Sequence, residues 1–243
     1  DNIGQPRPGL WLPGPGRQTL TRGMAQGRQV PENANLMSLA PPPAAEDKAG
    51  KRVIRGLSLA RVISNSAYML QAIAFPMMAM AAVGAPAFAA IGVAVSAAGI
   101  LLAFANGALA DKLSPRSIMV GGSVLAAGAA AAMASAAAIG VLNLWTLGGL
   151  AVALNGLLQA VVVGESSVAV QAVHGDPKRI QAVVSRFDLI FSAAGVAASL
   201  AGGFAVAAIG PAWAFSIFAA AQIAVAFVYF RTAPGADVLL PPG

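Results

Sequence analysis

The sequence has no cysteine and only one histidine, His174, and these shortages exclude several kinds of site. Without cysteine the chain can form no disulfide, iron–sulfur cluster or thiolate metal site. A zinc site at His174 would need carboxylate ligands, which the neighbouring apolar segments hardly offer. We therefore expect this protein to use neither a metal nor a cofactor.

Charged and aromatic residues are also scarce, at 10% and 6% of the chain, whereas 58% of the residues are hydrophobic. A soluble domain carries about 25% charged residues, so this chain has too few to cover its surface in water. The composition predicts an integral membrane protein whose solvent is the lipid bilayer. The net charge of +6 comes largely from Lys and Arg before residue 56, without a basic stripe interleaved with aromatics. We therefore expect no nucleic-acid partner.

The first 50 residues are rich in Pro and Gly and show no apolar periodicity, which predicts a disordered tail over 1–50. Four arginines and almost no acid before Glu32 also fit part of an organellar transit sequence. A flexible cytoplasmic tail is the simpler interpretation. The tail has no apolar run long enough for a secretory signal peptide.

The rest of the chain predicts an all-α, polytopic membrane protein, because a membrane-crossing helix needs ~20 apolar residues. Residues 51–231 form the predicted transmembrane domain, and 232–243 a short C-terminal tail. The six predicted helices cover residues 57–80, 86–110, 117–138, 143–170, 180–208 and 211–230. Gly and Pro stand at three of the breaks, as expected where the backbone turns at a water interface.

The basic residues alternate from one connection to the next. The first, third and fifth connections contain no Lys or Arg. Under the positive-inside rule this alternation predicts that both termini face the cytoplasm, or the equivalent compartment of an organelle. A bacterial inner membrane and an organellar membrane both remain open. The basic residues that flank the predicted helices are Lys48, Lys51, Arg52, Arg55, Lys112, Arg116, Lys178, Arg179 and Arg231.

The connection between the second and third predicted helices reads G-A-L-A-D-K-L-S-P-R from Gly107 to Arg116. It resembles the corresponding loop of major facilitator superfamily transporters, G-x-x-x-D-R/K-x-G-R/K-R/K, although Ser114 and Pro115 depart from that pattern. The resemblance covers about residues 55–231 and implies one six-helix half of a fold that usually has twelve helices. It also implies a charged latch at the cytoplasmic surface. The candidate latch residues are Gly107, Asp111, Lys112, Arg116 and Glu165.

Two polar stripes lie within the predicted helices. Ser64, Tyr68 and Gln71 follow i, i+4, i+7 spacing with Asn65 adjacent, and Asn155 and Gln159 are four residues apart. Each stripe therefore lies on one helix face, where it avoids lipid. The resemblance implies that the first and fourth helices line a central cavity, so these six residues are candidates for a substrate site. The alternative is that they form interhelical hydrogen bonds that serve only packing.

Two charged residues lie inside predicted helices. Arg61 is about one turn into the first helix, from which we expect it to reach the headgroups. Glu165, late in the fourth helix, is a functional candidate because ionisable residues are expensive in lipid. The sequence Gly164-Glu165-Ser166 contains the G-x-S of intramembrane serine proteases, but a Ser–His dyad would need His174 within hydrogen-bond reach. We therefore expect no catalytic residue and no enzyme.

Two functions remain open. The first is a facilitator-type transporter that moves a small, uncharged or amphipathic solute by alternating access. It would need a second six-helix bundle, supplied by a homodimer, a partner chain or the rest of a longer protein. The alternative is a non-transporting structural or assembly subunit of a larger membrane complex.

Overall fold

A computed structural model describes residues 44–173 and 176–233, and every element in them is helical. Most of the predicted tail, His174 and residues 234–243 lie outside the described residues. The elements are α1 (Ala44–Val83), α2 (Ala85–Ala110), α3 (Pro115–Ala138), α4 (Leu144–Ala172), α5 (Pro177–Ile209) and α6 (Pro211–Thr232).

All six helices are long and apolar enough to cross a membrane, which fits the prediction of a multi-pass membrane protein. The largest difference from the predicted bounds is at α1, which begins at Ala44 instead of residue 57. Three prolines stand at 41–43, and the helix starts directly after them. Proline lacks the backbone donor that a helix needs, and no further proline follows until Pro76. The first helix can therefore extend back to Ala44, directly after the three prolines.

The connections are short because residues at the helix ends terminate one helix and begin the next within a few positions. Gly84 and Gly210 have φ angles of 80° and 82°, in the left-handed region that favours glycine, and the next helix begins with a proline in its first turn in both cases. Asn143 caps α4, since its side chain accepts hydrogen bonds of 3.0 Å from the backbone of Trp145 and Thr146. These turns confirm that glycine and proline mark the helix ends.

The bundle is packed unevenly. The most extensive contacts join α3 to α6 and α4, and α1 to α6 and α5, while α2 lies against α4. Half of the most apolar stretch of α3 is buried within the chain, compared with 6% for α2 and 11% for α5. The core therefore lies along α3 and α6, and α2 and α5 present most of their surface outwards.

Glycines allow α4 to lie close to two neighbours. A Cβ atom at Gly156 would come within 2.7 Å of the Leu102 side chain on α2, and one at Gly164 within 2.7 Å of Met119 on α3. Such contacts are expected in a membrane, where small residues let helix backbones approach.

Several helix ends meet at one end of the bundle, which we name the basic end. Arg116 at the start of α3 donates a 2.7 Å hydrogen bond to the carbonyl oxygen of Phe230 near the end of α6. The start of α1 contacts the ends of α4 and α6, since Cβ atoms at Gly50 and Gly56 would overlap Ala172 and Thr232. The basic residues of the connections are therefore gathered at one end, in agreement with their alternation along the sequence.

Candidate functional site

A cleft of about 220 Å³ opens between α1, α4 and α5, and we name it the polar cleft. Its walls combine hydrogen-bonding groups with apolar residues such as Val161 and Phe191. Five of the six predicted cavity residues line it. These five are Ser64, Asn65, Tyr68, Asn155 and Gln159.

The sixth predicted residue, Gln71, lines a neighbouring cleft of about 340 Å³ between α1, α2 and α4. Tyr68 and Asn155 line both clefts, so all six residues belong to one continuous region of the bundle. Phe75 and Phe88 form the apolar wall of this second cleft, with ring centroids 6.1 Å apart. Polar and aromatic surfaces therefore face the same space.

Helical spacing explains why these side chains meet. Ser64, Tyr68 and Gln71 repeat on one face of α1, and Asn155 and Gln159 on one face of α4. Both helices are of membrane-spanning length, so polar groups on any other face would meet hydrocarbon. The structure therefore brings together the polar stripes that the sequence identified separately.

The amide groups in this region are incompletely hydrogen-bonded. Nδ2 of Asn65 and Oε1 of Gln71 are buried and have no hydrogen-bond partner among the described residues. Leaving such a group unpaired costs about 1–3 kcal/mol. Ser64 differs, because its Oγ accepts a 3.1 Å hydrogen bond from Nε2 of Gln222 on α6. The packing interpretation therefore applies to Ser64, whereas Asn65 and Gln71 keep hydrogen-bonding capacity for a ligand.

A charged group forms one end of the polar cleft, and we name it the charged floor: Arg61, Glu165 and Tyr229. Nε of Arg61 donates to Oε2 of Glu165 at 2.7 Å, and the Tyr229 hydroxyl donates to Oε1 of the same carboxylate. Glu165 is only 3% exposed, and the Arg61 guanidinium lies 4.8 Å from the ring centre of Phe187. The charged floor therefore connects α1, α4 and α6, with α5 packed against it.

The expectation that Arg61 reaches the headgroups was wrong, because the side chain turns inward to Glu165. Tyr229 and Gln222, which bring α6 to the site, were missed. A signal for the ion pair was present in the sequence, since opposite charges in otherwise apolar helices usually pair with one another. No comparable signal marked Tyr229.

The five candidate latch residues form no cluster of ion pairs in the part of the chain that the structure describes. Among the residues that the structure describes, no ion pair joins Asp111 to Arg116, and Glu165 pairs with Arg61 instead. Asp111 and Lys112 are exposed, and a Cβ atom at Gly107 would meet nothing within 4 Å.

Arg116 makes two contacts with Phe230 that the latch prediction did not include. Besides its hydrogen bond to Phe230, its guanidinium lies 4.6 Å from the ring centre of that residue. A cation near the last carbonyl groups of a helix also interacts favourably with the helix dipole. Ser114, which departs from the facilitator pattern, caps α3 by accepting from the backbone of Ser117 at 3.2 Å. This connection therefore stabilises helix ends.

Within the described part of the chain, no three His, Asp or Glu side chains gather as a metal site would require. The chemistry of the cleft consists of neutral hydrogen bonding, aromatic contact and one buried ion pair. Comparison of the chain with protein-family models, with curated proteins and with solved structures finds no match.

Proposed function

We propose that this chain is one six-helix bundle of a facilitator-type membrane transporter. In this proposal a small, uncharged or amphipathic solute binds in the polar cleft. A second bundle, from another copy, a partner chain or the rest of a longer protein, supplies the opposing wall. The solute crosses by alternating access, in which two bundles rock around a central site.

The observation that carries the proposal is the convergence of polar side chains from α1 and α4 on one cleft. Tyr68 and Gln159 are exposed at its mouth, and Asn65 has an unpartnered amide group inside. Polar side chains in a membrane are expensive unless they meet a partner or a water-filled cavity. Among the residues that the structure describes, packing provides a partner for Ser64 but leaves buried amide atoms of Asn65 and Gln71 without one, so a cavity for a solute explains them better.

The uneven packing supports a second bundle. The helices that flank α1 and α4, namely α2 and α5, bury little of their length within the chain. A polar cleft open at the surface of a bundle would otherwise face lipid. A second bundle set against this side would close the cleft and cover outward faces of α2 and α5.

The charged floor supports movement as a rigid unit. It links α1 to α4 and α6 through a salt bridge and a hydrogen bond to a shared carboxylate. Helices that are linked in this way are expected to move together, which is what rocking of whole bundles requires.

The lining of the polar cleft supports a neutral or amphipathic solute. Amides and a hydroxyl from Asn65, Asn155 and Tyr68 offer donors and acceptors without net charge, and Phe191 adds an apolar surface. The two charges at the floor already pair with one another. A neutral or amphipathic molecule fits these walls better than an ion.

Cysteine labelling tests the proposal directly, because these 243 residues contain no cysteine that would react in the background. Asn155→Cys and Gln159→Cys place a thiol in the polar cleft. A charged thiol reagent reacts with the thiolate, which forms only where water reaches the site. Ala153→Cys is the matched control. Ala153 is exposed, but it lies two residues before Asn155 and therefore on the other side of α4.

The reagent is added outside sealed vesicles of one orientation and, separately, of the opposite orientation. We expect the cleft thiols to react in both cases, and several-fold faster than Ala153→Cys. Labelling from one side only, or no faster than the control, would contradict alternating access. The native mass of the gently extracted protein separates the remaining alternatives. A mass of two bundles agrees with the transporter, whereas a much larger assembly with unrelated chains would identify a structural subunit instead.

A further inference from the structure

A groove of about 440 Å³ lies at the basic end, between the start of α1, the end of α4 and the start of α5. We name it the basic groove. Four basic side chains line it: Lys51, Arg55, Arg179 and Arg186. The apolar part of its wall consists of Ile54, Ala172, Val173, Ala182 and Val183. No Asp or Glu is among the lining residues.

The sequence builds the groove by helical repetition. Arg179, Ala182, Val183 and Arg186 follow i, i+3, i+4, i+7 spacing and share one face of α5. Lys51 and Arg55 are one turn apart on α1, on the opposite wall.

The floor of the groove depends on Gly50. A Cβ atom at this position would overlap the carbonyl oxygen of Ala172, so only glycine lets α1 lie this close to the end of α4. The close approach of the two helices leaves a narrow, apolar floor under the basic side chains.

Two of the basic groups have no counter-charge among the residues that the structure describes. Arg55 and Arg186 are exposed, and neither has an ion-pair or hydrogen-bond partner among the residues that the structure describes. Asp176 lies near Arg179, with 3.5 Å between the carboxylate and guanidinium atoms. Asp188 is two positions after Arg186 and therefore points to the other side of α5.

The positions of the basic side chains along α5 indicate at which level of the membrane an anionic partner would lie. Arg186 is seven residues beyond Arg179, which places it ~10 Å further along the helix axis. The basic groups therefore extend from the helix end into the membrane-crossing part of α5. A guanidinium without a counter-charge at that depth is expensive, and an anion at headgroup level would remove this cost.

We propose that the basic groove binds the headgroup of an anionic phospholipid. Arginine donates paired hydrogen bonds to phosphate oxygens, and Arg55 and Arg186 present such groups from opposite walls. The apolar residues between them contact the glycerol and the first part of the acyl chains. Basic pockets between membrane helices bind anionic headgroups by the same chemistry.

The experiment measures lipid binding to the purified full chain in detergent by native mass spectrometry. Phosphatidylglycerol is titrated against phosphatidylcholine with the same acyl chains. The test variant is Arg55→Gln/Arg186→Gln, and the matched control is Lys178→Gln/Arg231→Gln, which removes two charges from the same end outside the groove. We expect the test variant to bind phosphatidylglycerol about ten- to thirty-fold more weakly, while the control changes less than about two-fold.

A second variant tests the shape of the groove separately from its charge. Ala182→Trp fills the groove without changing any charge, and we expect it to weaken phosphatidylglycerol binding as well. Equal loss in both double variants, or equal binding of phosphatidylcholine, would overturn the proposal. Displacement of the lipid by an equimolar amount of inorganic phosphate would also overturn it, since the groove would then select free phosphate. None of these outcomes bears on labelling of the polar cleft, so the two proposals can fail separately.

Discussion

Arg61 on α1 and Glu165 on α4, separated by 104 positions in the sequence, form an ion pair of 2.7 Å inside the helical bundle. The carboxylate also accepts from Tyr229 on α6, and the guanidinium lies against Phe187 on α5. One buried carboxylate on α4 therefore binds groups from two other helices, α1 and α6. The same group forms the floor of the polar cleft, so its removal affects both the stability of the bundle and the shape of the cleft.

Glu165→Gln is expected to lower the free energy of unfolding by about 3 kcal/mol, because Arg61 would keep its charge in a site that no longer offers a counter-charge. Thermal unfolding in detergent measures the change. Ser166→Ala is the control, since the exposed Ser166 hydroxyl donates, among the described residues, only to the backbone carbonyl of Val162, four residues earlier. A Glu165→Gln protein as stable as the parent would show that the ion pair has no structural role.

The double variant Arg61→Gln/Glu165→Gln is expected to be less destabilised than the sum of the two single variants. In the double variant neither charge remains without its counter-charge. The interaction energy from the double-mutant cycle should therefore reach about 1–3 kcal/mol. The four proteins of the cycle are compared under one set of detergent conditions. Additive losses would mean that the two side chains act through other partners.

Tyr229→Phe removes one hydroxyl and leaves the ring in place. The Glu165 carboxylate would lose a buried donor, and we expect a loss of about 1–2 kcal/mol in the free energy of unfolding. The same substitution made together with Glu165→Gln should cost less, because a neutral amide depends less on that donor. Hydrogen exchange at the end of α6 gives a second measurement of the loosened contact.

Alanine substitutions at one glycine of α4 and one of α3 test where a glycine is needed for close helix packing and where it only adds flexibility to the unfolded chain. A Cβ atom at Gly164 would come within 2.7 Å of Met119 and 3.1 Å of the Pro115 carbonyl oxygen, so Gly164→Ala should destabilise the bundle by about 1–3 kcal/mol. At Gly121 a Cβ atom would meet nothing within 4 Å, so Gly121→Ala should be neutral or stabilising by up to about 1 kcal/mol. The reverse order of melting temperatures would contradict the packing of α3 on α4.

The sequence predicted what depends on local pattern. Hydropathy gave the six helices, Gly and Pro gave their ends, and helical spacing identified the side chains that line the clefts. The start of α1 was predicted too late because the helix continues through charged residues such as Lys48, beyond its most apolar part.

Contacts between distant helices were harder to predict. The spacing of residues along α6 does not show that Tyr229 meets Glu165, since that contact depends on how α4 and α6 pack. The partner of Arg61 was accessible in principle, because a buried positive charge in lipid requires a negative one. Glu165 was assigned to the latch on resemblance, and its pairing with Arg61 was not predicted.

The loop between α2 and α3 provides the last prediction. In a charged latch, Asp111 and Arg116 act together, so removing either charge should have a similar effect. In the structure Arg116 instead holds the end of α6 through the Phe230 carbonyl group and ring, while Asp111 is exposed. We expect Arg116→Ala to cost about 1.5 kcal/mol, as for a hydrogen bond from a charged donor.

Asp111→Asn, by contrast, should stay within about 0.5 kcal/mol of the parent, because exposed substitutions away from packed features have little effect. Thermal unfolding of both variants and of their double variant distinguishes the two interpretations. Equal losses with a strong interaction between the two positions would restore the latch. A loss confined to Arg116, unchanged in the double variant, would instead identify the loop as a structural link between the start of α3 and the end of α6.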